Sequence, residues 1–284
     1  MNSRSRYLLF SGLAVHYQII MPRGAVAQRV LLVPSPGMST YNWRLIVPEL
    51  AESGCLCVVC DLPGFGKSMC GPDVPHQQDQ RAQLLWGVLD EVDAEIGHGF
   101  MSWHLIGHGS AAGTVAAMTV VAPDSVTSMI LLNPIMHSVI PRALCALLCT
   151  RFGTGFLKRW YRKHILSPER FNALLGKLYG RNLSLGYTEK IREPLAREGF
   201  DEMLGDILRD GYSAPTAQLN DLFTPAMVLW GGRDWLLGGE IPRKIRRHTL
   251  SEIECHTIRS AGHCIAETHS PAVRDYIRGW VKSH

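Results

Sequence analysis

One turn of this 284-residue chain has the pattern of a catalytic turn but lacks its reactive side chain. Residues 104–113 read HLIGHGSAAG, a buried strand that turns sharply into a helix of small residues. In the pattern G-x-S-x-G, the middle serine attacks its substrate from a strained strand-to-helix turn. Here Gly109 stands at the middle position and Ser110 follows it. We call the middle position the nucleophile seat.

The register of this turn follows from side-chain size. With Gly109 in the nucleophile seat, the residues two places before and after it are Gly107 and Ala111, and both are small enough for a sharp turn. With Ser110 in the seat, the ring of His108 would crowd the turn. Glycine also adopts the positive φ of the seat without steric cost. We therefore expect Gly109 in the seat and Ser110 as a helix cap, with its backbone N–H free to bind an oxyanion.

Four further segments carry recognisable motifs. They are RVLLVP with SPGMSTYNWR (29–44), CLCVVCDLPGFGKS (55–68), PAMVLWGGRD (225–234) and RSAGHCIAETHSP (259–271). Together with the turn, these segments resemble the α/β-hydrolase superfamily over nearly the whole chain, with Gly109 in place of the serine of the nucleophile seat. The resemblance implies an α/β fold, a mostly parallel doubly wound sheet with an inserted helical cap. It implies a core of residues 1–136 and 216–284, and a cap at 137–215.

The resemblance assigns an acid and a base to two of these segments. Asp234 would be the acid and His263 the base, and the chain order of turn, Asp and His is that of the family. In such a pair the carboxylate fixes the imidazole tautomer and stabilises its protonated form. Each residue alone also suits an ordinary turn or loop. Their joint position after two predicted strands favours a catalytic dyad.

The oxyanion loop is a second departure from the family. The family has His-Gly-x after the strand, and alignment on Gly37 places Pro34, Ser35 and Pro36 there. Proline has no N–H to donate, so the oxyanion region of Ser35, Pro36, Gly37 and Ser110 lacks one donor. Such a loss costs about a hundred- to a thousandfold in turnover, and loss of the nucleophile on the order of a millionfold. Ordinary serine acyl-enzyme chemistry is therefore disfavoured.

Hydrophobic patterning predicts the elements that position these residues. Alternating apolar strands and amphipathic helices favour a parallel sheet covered on both sides. The strands are expected near 7–20, 29–34, 55–60, 101–107, 129–133, 226–230 and 253–258. The helices are expected at 41–53, 79–96, 110–121 and 271–282.

Composition is that of an ordinary soluble globular protein, with 46% apolar and 19% charged residues. There is no apolar run of membrane-spanning length, and the N-terminus resembles edge strands more than a signal peptide. Cys57-x-x-Cys60 lies within a predicted strand without a second pair, so buried hydrophobic thiols are favoured over a zinc site. The cysteines fit a reducing compartment. We expect a cytoplasmic protein without metal or cofactor.

The expected cap is strongly basic. Between residues 137 and 192, eleven Lys or Arg face only Glu169 and Glu189. The segment FLKRWYRKHIL would place five apolar side chains on one side of a helix: Phe156, Leu157, Trp160, Tyr161 and Ile165. A cap helix with this side over the active-site pocket and its basic side in water is favoured. Attraction of an anionic substrate and contact with a membrane surface are less favoured alternatives. Nucleic acid is not expected, because no binding motif accompanies the charge.

Three functions remain open at this point. The favoured one is an enzyme in which His263, oriented by Asp234, acts as general base on a small ester, lactone or acidic C–H substrate without the usual serine nucleophile. The second is an esterase-like serine hydrolase that uses the displaced Ser110. The third is a silent hydrolase-fold protein that binds a small ligand. The sequence does not specify the oligomeric state.

Overall fold

One eight-stranded sheet organises the protein. A computed structural model describes residues 3–97, 101–136, 140–210, 223–236 and 253–284. The strands in chain order are β1 (Ser3–Phe10), β2 (Leu13–Ile20), β3 (Gln28–Val33), β4 (Cys55–Cys60), β5 (Trp103–His108), β6 (Val126–Leu132), β7 (Ala226–Gly231) and β8 (Ile253–Ile258). Their order across the sheet is β1-β2-β4-β3-β5-β6-β7-β8. The β1–β2 and β2–β4 pairs are antiparallel, and the other neighbouring pairs are parallel.

Helices cover both faces of this sheet. They are α1 (Val47–Glu52), α2 (Gln78–Ile96), α3 (Ala111–Val121), α4 (Arg142–Leu148), α5 (Arg151–His164), α6 (Pro168–Tyr179), α7 (Leu185–Leu195), α8 (Leu204–Asp210), α9 (Ile265–Thr268) and α10 (Ser270–Ser283). Val88 of α2 and Val115 of α3 belong to the core on one face. Leu50 of α1 and Ile277 of α10 belong to the core on the other. The expected fold class, a mostly parallel sheet with helices on both sides, is confirmed.

Two of the predicted elements are each divided in the structure. The strand expected over 7–20 is the hairpin of β1 and β2, because Ser11 and Gly12 adopt φ values of 48° and 82° and form a tight two-residue turn. The helix expected over 41–53 is a 3₁₀ turn, Thr40–Trp43, followed by α1. Pro48 lies in the first turn of α1, where its missing N–H costs no intrahelical hydrogen bond.

The loop after β4 folds around the carboxylate of Asp61, which is fully buried. One carboxylate oxygen accepts a hydrogen bond from the Thr40 N–H at 2.6 Å. The other accepts from the Lys67 N–H at 2.9 Å and from His16 Nδ1 at 2.7 Å. Ser68 Oγ donates to the Asp61 carbonyl at 2.7 Å. These bonds explain why the D-x-P-G-x-G-x-S motif needs its aspartate and its serine.

Hydrogen bonds also link a Ser–His–Asp triplet in this part of the protein. Ser5 Oγ lies 2.7 Å from His16 Nε2, and His16 in turn bonds Asp61. His16 and Asp61 are both fully buried. The carboxylate is held by backbone N–H groups on both of its oxygens. These hydrogen-bonded side chains thus anchor the β1–β2 hairpin to the loop after β4.

Helices α4 to α8 stand between β6 and β7 in the chain, and we call them the inserted helices. The boundaries expected for a cap, at residues 137 and 215, lie outside the described residues. Tyr161 of α5 and Ile165, which follows this helix, are buried, but Phe156 and Trp160 are 60% and 40% exposed. The apolar side of α5 is therefore only partly buried, and its expected position over the active-site pocket stays a prediction.

All eight cysteines are free thiols. Burial raises the pKa of the Cys57 and Cys60 thiols well above the ordinary value, so both behave as small core side chains. Among the helices that the structure describes, none has both the length and the apolar character needed to cross a bilayer.

Gly66 supplies a stability test of the Asp61 loop. It has φ +54°, and an added Cβ would come closer than 3.0 Å to the Asp61 carboxyl group. We expect Gly66→Ala to lower the free energy of unfolding by about 2 kcal/mol or more, because strain and overlap add. The matched control is Gly155→Ala in α5, where an added Cβ meets nothing within 4 Å and helix propensity favours alanine. Urea unfolding followed by circular dichroism measures both. Equal midpoints for Gly66→Ala and the wild type would contradict this account of the motif.

Candidate active site

Neighbouring parallel strands bring the candidate residues together at one edge of the sheet. Gly109 follows β5, Asn133 follows β6 and Asp234 lies in the turn after β7. His263 lies in the loop after β8. Because β5 to β8 are adjacent and parallel, their carboxyl ends meet, which is where open α/β sheets hold their ligands.

Asp234 and His263 form a buried hydrogen-bonded dyad. His263 Nδ1 lies 2.8 Å from Asp234 Oδ2, and their side chains are 5% and 3% exposed. Burial by itself raises the pKa of Asp234, but hydrogen bonds from His263, Asn133 and the Leu236 N–H outweigh it and hold that pKa below its ordinary value. The carboxylate is thus ionised and fixes the proton of His263 on Nδ1. The Nε2 atom is left as the basic nitrogen.

Asn133 is a dyad partner that sequence reasoning missed. Its Nδ2 donates to Asp234 Oδ2 at 2.5 Å and approaches the Gly262 carbonyl at 3.4 Å. Its φ of +43° is uncommon for a residue other than glycine. The sequence signal for Asn133 was its position, because it follows β6 just as Asp234 follows the adjacent β7.

Backbone hydrogen bonds fix the turn that carries Asp234 against the loop that carries His263. The Gly232 N–H donates to the Ile258 carbonyl, and the Arg233 N–H donates to the Ala261 carbonyl, both at 2.9 Å. The dyad is therefore held by main chain on both sides. Such support is what a preorganised catalytic pair requires.

Gly109 occupies the position that faces His263. It has φ +60°, and an ideal Cβ built on it would lie 3.5 Å from His263 Nε2. The turn is also tight at Gly107, where an added Cβ would come within 2.9 Å of the Ala112 Cα atom. The Gly109 N–H donates to the Leu132 carbonyl at 2.9 Å. A side chain on residue 109 would therefore point at the basic nitrogen of the dyad.

Ser110 immediately precedes α3, and its backbone is in the helical region, at φ −75° and ψ −12°. Its side chain makes no capping hydrogen bond, so the expectation that its hydroxyl caps the helix is wrong. The cause is its helical backbone, since a side-chain cap needs an extended residue at that position. As the N-cap residue of α3, Ser110 presents a backbone N–H without an intrahelical acceptor.

The oxyanion region is shaped by a tight turn. The Met38 N–H donates to the Ser35 carbonyl at 2.8 Å, with Pro36 and Gly37 between them and Gly37 at φ +87°. Proline followed by a positive-φ glycine is the signature of a type II turn. The side chain of Ser35, a residue only 7% exposed, reaches the nucleophile seat. An added Cβ on Gly109 would come closer than 3.0 Å to Ser35 Oγ and would lie 2.9 Å from its Cβ.

His108 supports the loop that carries His263. Burial, together with the nearby His263 imidazole, lowers the pKa of His108 to about 3, so its ring is neutral. Its Nε2 lies 3.0 Å from the His263 carbonyl and donates to it. The two rings stand 5.1 Å apart. His108 therefore holds the loop of His263 with a neutral ring.

A buried carboxylate joins the loop of His263 to the inserted helices. Glu267 of α9 accepts hydrogen bonds from Asn42 Nδ2 at 2.7 Å and from Tyr179 Oη of α6. It also pairs with Arg44. The cluster connects three parts of the chain: the segment after the turn at Pro36 and Gly37, the loop of His263 and the inserted helices.

A cavity of about 730 Å³ lies beside the β1–β2 hairpin, and neither Gly109 nor His263 lines it. Four of its lining side chains are cationic: Arg44, Lys67, Lys190 and Arg197. This cavity is therefore separate from the dyad. Among the described residues, no group of three or more His, Cys, Asp or Glu is placed to hold a metal ion.

A profile described as the alpha/beta hydrolase family matches residues 30–275, a span that includes Gly109, Asp234 and His263. The chain belongs to this family. Membership accounts for the chain order of the turn at Gly109, Asp234 and His263, and for the mostly parallel sheet that holds them.

Relatives within the family are distant and differ in their substrates. The chain is 24% identical to the 2-hydroxy-6-oxononadienedioate/2-hydroxy-6-oxononatrienedioate hydrolase of Paraburkholderia phymatum, over 91% of this chain and 87% of that protein. It is 22% identical to mouse (Mus musculus) epoxide hydrolase 3, over 96% of this chain and 75% of that protein. The haloalkane dehalogenase DbeA of Bradyrhizobium elkani superposes with a TM-score of 0.78 at 19% identity, covering 99% and 98% of the two chains. The structural likeness establishes the fold.

The lowered pKa of Asp234 predicts how the dyad contributes to stability. A carboxyl group whose pKa is lower in the folded state stabilises the protein fully above its unfolded-state pKa, which is 3.8 for an ordinary Asp. That contribution is lost as the pH falls through the folded-state pKa. We expect Asp234→Asn to lower the free energy of unfolding by about 2 kcal/mol at neutral pH.

The stability difference between the wild type and Asp234→Asn is therefore smaller at about pH 3 than at about pH 6. Urea unfolding of both proteins at the two pH values measures it, with circular dichroism of the folded state as the control. A difference that stays the same at both values would mean that the Asp234 carboxylate is not stabilised by its hydrogen bonds.

Proposed function

We propose that this protein hydrolyses a small organic substrate with His263 as general base and without a nucleophile on residue 109. The carrying observation is the buried dyad, with Asp234 on Nδ1 of the imidazole and Nε2 directed at the nucleophile seat. Substrates of this chemistry are an ester, a lactone or a compound with an acidic C–H next to a carbonyl group.

The dyad has the parts that proton transfer requires. His263 Nε2 takes a proton in the step that attacks or activates the substrate, and the Asp234 carboxylate stabilises the imidazolium that results. A positioned base contributes about a hundred- to ten-thousandfold to the rate. The backbone N–H of Ser110 is available for the developing oxyanion, whereas Pro36 has no N–H to offer.

Charge supports an anionic substrate. Residues 137–192 carry eleven Lys or Arg against two Glu, and a field of one sign raises the local concentration of opposite charges. The relative from Paraburkholderia phymatum is named for dioate substrates, which are dicarboxylates. We therefore include a carboxylate-bearing substrate with a second carbonyl group in the class proposed.

Ser110 chemistry is the alternative that the dyad geometry favours less. Ser110 has the backbone of a helix start, whereas the positive φ and the direction toward His263 belong to Gly109. A protein that binds a ligand without chemistry would not need a base held by three hydrogen-bonded loops.

Alanine variants separate these functions. Hydrolysis of p-nitrophenyl acetate, a small lactone and a 2-hydroxy-6-oxodienedioate is compared for the wild type, His263→Ala and Ser110→Ala. We expect His263→Ala to lose about a hundred- to ten-thousandfold in rate. Ser110→Ala keeps the backbone N–H and is expected to stay within about tenfold of the wild type.

The outcomes of this comparison are distinct. Equal loss in Ser110→Ala and His263→Ala would establish serine chemistry at residue 110 and refute the proposal. Wild-type rates in His263→Ala would show that the dyad is not the catalytic base. Circular dichroism of each variant confirms that it is folded.

A further inference from the structure

The nucleophile seat contains a hydroxyl group from a different loop. An ideal Cβ on Gly109 would come closer than 3.0 Å to Ser35 Oγ, would lie 2.9 Å from Ser35 Cβ, and would lie 3.5 Å from His263 Nε2. Ser35 and His263 thus both border the small volume next to Gly109. The space that a side chain on residue 109 would fill is already occupied by the side chain of residue 35.

Positions 35 and 109 carry the two residue types that the family resemblance predicts, but in exchanged places. The resemblance noted above places Ser35 where the family has glycine in its oxyanion loop, and Gly109 where it has serine in the turn. Either serine projects into the same space, and the overlap leaves room for only one of them. The chain therefore keeps one hydroxyl group in front of the base while changing the loop that supplies it.

We propose that Ser35 is the nucleophile of this enzyme, a proposal that rests on the proposed function of the His263–Asp234 dyad. With an ester substrate, His263 Nε2 takes the hydroxyl proton as Ser35 Oγ bonds to the carbonyl carbon. The proton then passes to the leaving oxygen as its bond to the carbonyl carbon breaks, and an alcohol departs. Water, deprotonated by His263, attacks the acyl group, and the acid leaves as the proton returns to Ser35.

The surroundings of Ser35 suit this role. The residue is only 7% exposed, and its carbonyl accepts the hydrogen bond of a proline–glycine turn that limits its backbone freedom. The N–H of Ser110 stands at the start of α3, where the helix dipole favours a developing negative charge. Hydrogen bonds between a nucleophile and its base are often long in free enzymes and shorten when substrate binds.

Covalent labelling identifies the reacting residue. The wild type, Ser35→Ala, His263→Ala and the control Ser125→Ala, an exposed serine, are treated with a small fluorophosphonate, and adducts are located by intact mass and peptide mapping. We expect a single adduct on Ser35, which is absent in Ser35→Ala, at least about a hundredfold slower in His263→Ala, and unchanged in Ser125→Ala. Ester hydrolysis by Ser35→Ala should fall by at least about a hundredfold as well.

A double variant tests the exchange directly. Ser35→Gly combined with Gly109→Ser removes the overlap, and we expect its adduct on residue 109 instead of residue 35. Gly109→Ser alone is expected to be destabilised, because its side chain overlaps Ser35. Ser35→Ala, which keeps the existing Cβ, decides the question even where the double variant does not fold.

Failure of this proposal differs from failure of the proposed function. An adduct on Ser110, or no adduct on a folded wild-type protein, overturns the role of Ser35. So does a Ser35→Ala protein that hydrolyses ester at the wild-type rate while His263→Ala does not, and that result leaves the dyad as the general base. Wild-type rates in both variants would refute the proposed function itself.

Discussion

The hydrogen bond between His263 Nδ1 and Asp234 Oδ2 is the contact on which the site depends. It requires two loops to meet at a buried edge of the sheet, and the adjacent parallel strands β7 and β8 bring them there. Because the bond is buried, its carboxylate needs further donors, which are Asn133 and the Leu236 N–H. The loop of His263 is also held by a hydrogen bond from His108. A single polar pair thus dictates the identity of several residues around it.

Much of the fold was predictable, because strands covered on both faces have near-continuous apolar runs. The runs at Cys55–Cys60 and Ala226–Gly231 were expected within a residue of their observed bounds. The positions of Asp234 and His263 followed from motifs at strand ends. The hairpin turn at Ser11 and Gly12 was missed, although a Ser-Gly pair between two strand-like stretches is a turn signal.

The details of the site depend on packing between distant segments, which a sequence does not specify. Asn133 belongs to the dyad only because β6 lies next to β7. Ser35 was expected beside the oxyanion, but its entry into the seat follows from the tight turn at Pro36 and Gly37. Phe156 is exposed because α5 buries a narrower stripe than its apolar pattern suggests. In each case the deciding contact joins residues far apart in the chain or depends on the neighbouring helix.

The shared seat also restricts how this protein can have evolved. Serine at both position 35 and position 109 would overlap, and glycine at both would remove any side-chain hydroxyl group from the space next to His263 Nε2. If Ser35 is the nucleophile, a change from one arrangement to the other by single Ser and Gly substitutions passes through an overcrowded or an inactive intermediate. Positions 35 and 109 are thus structurally coupled, because the side chain at one position limits what the other can carry.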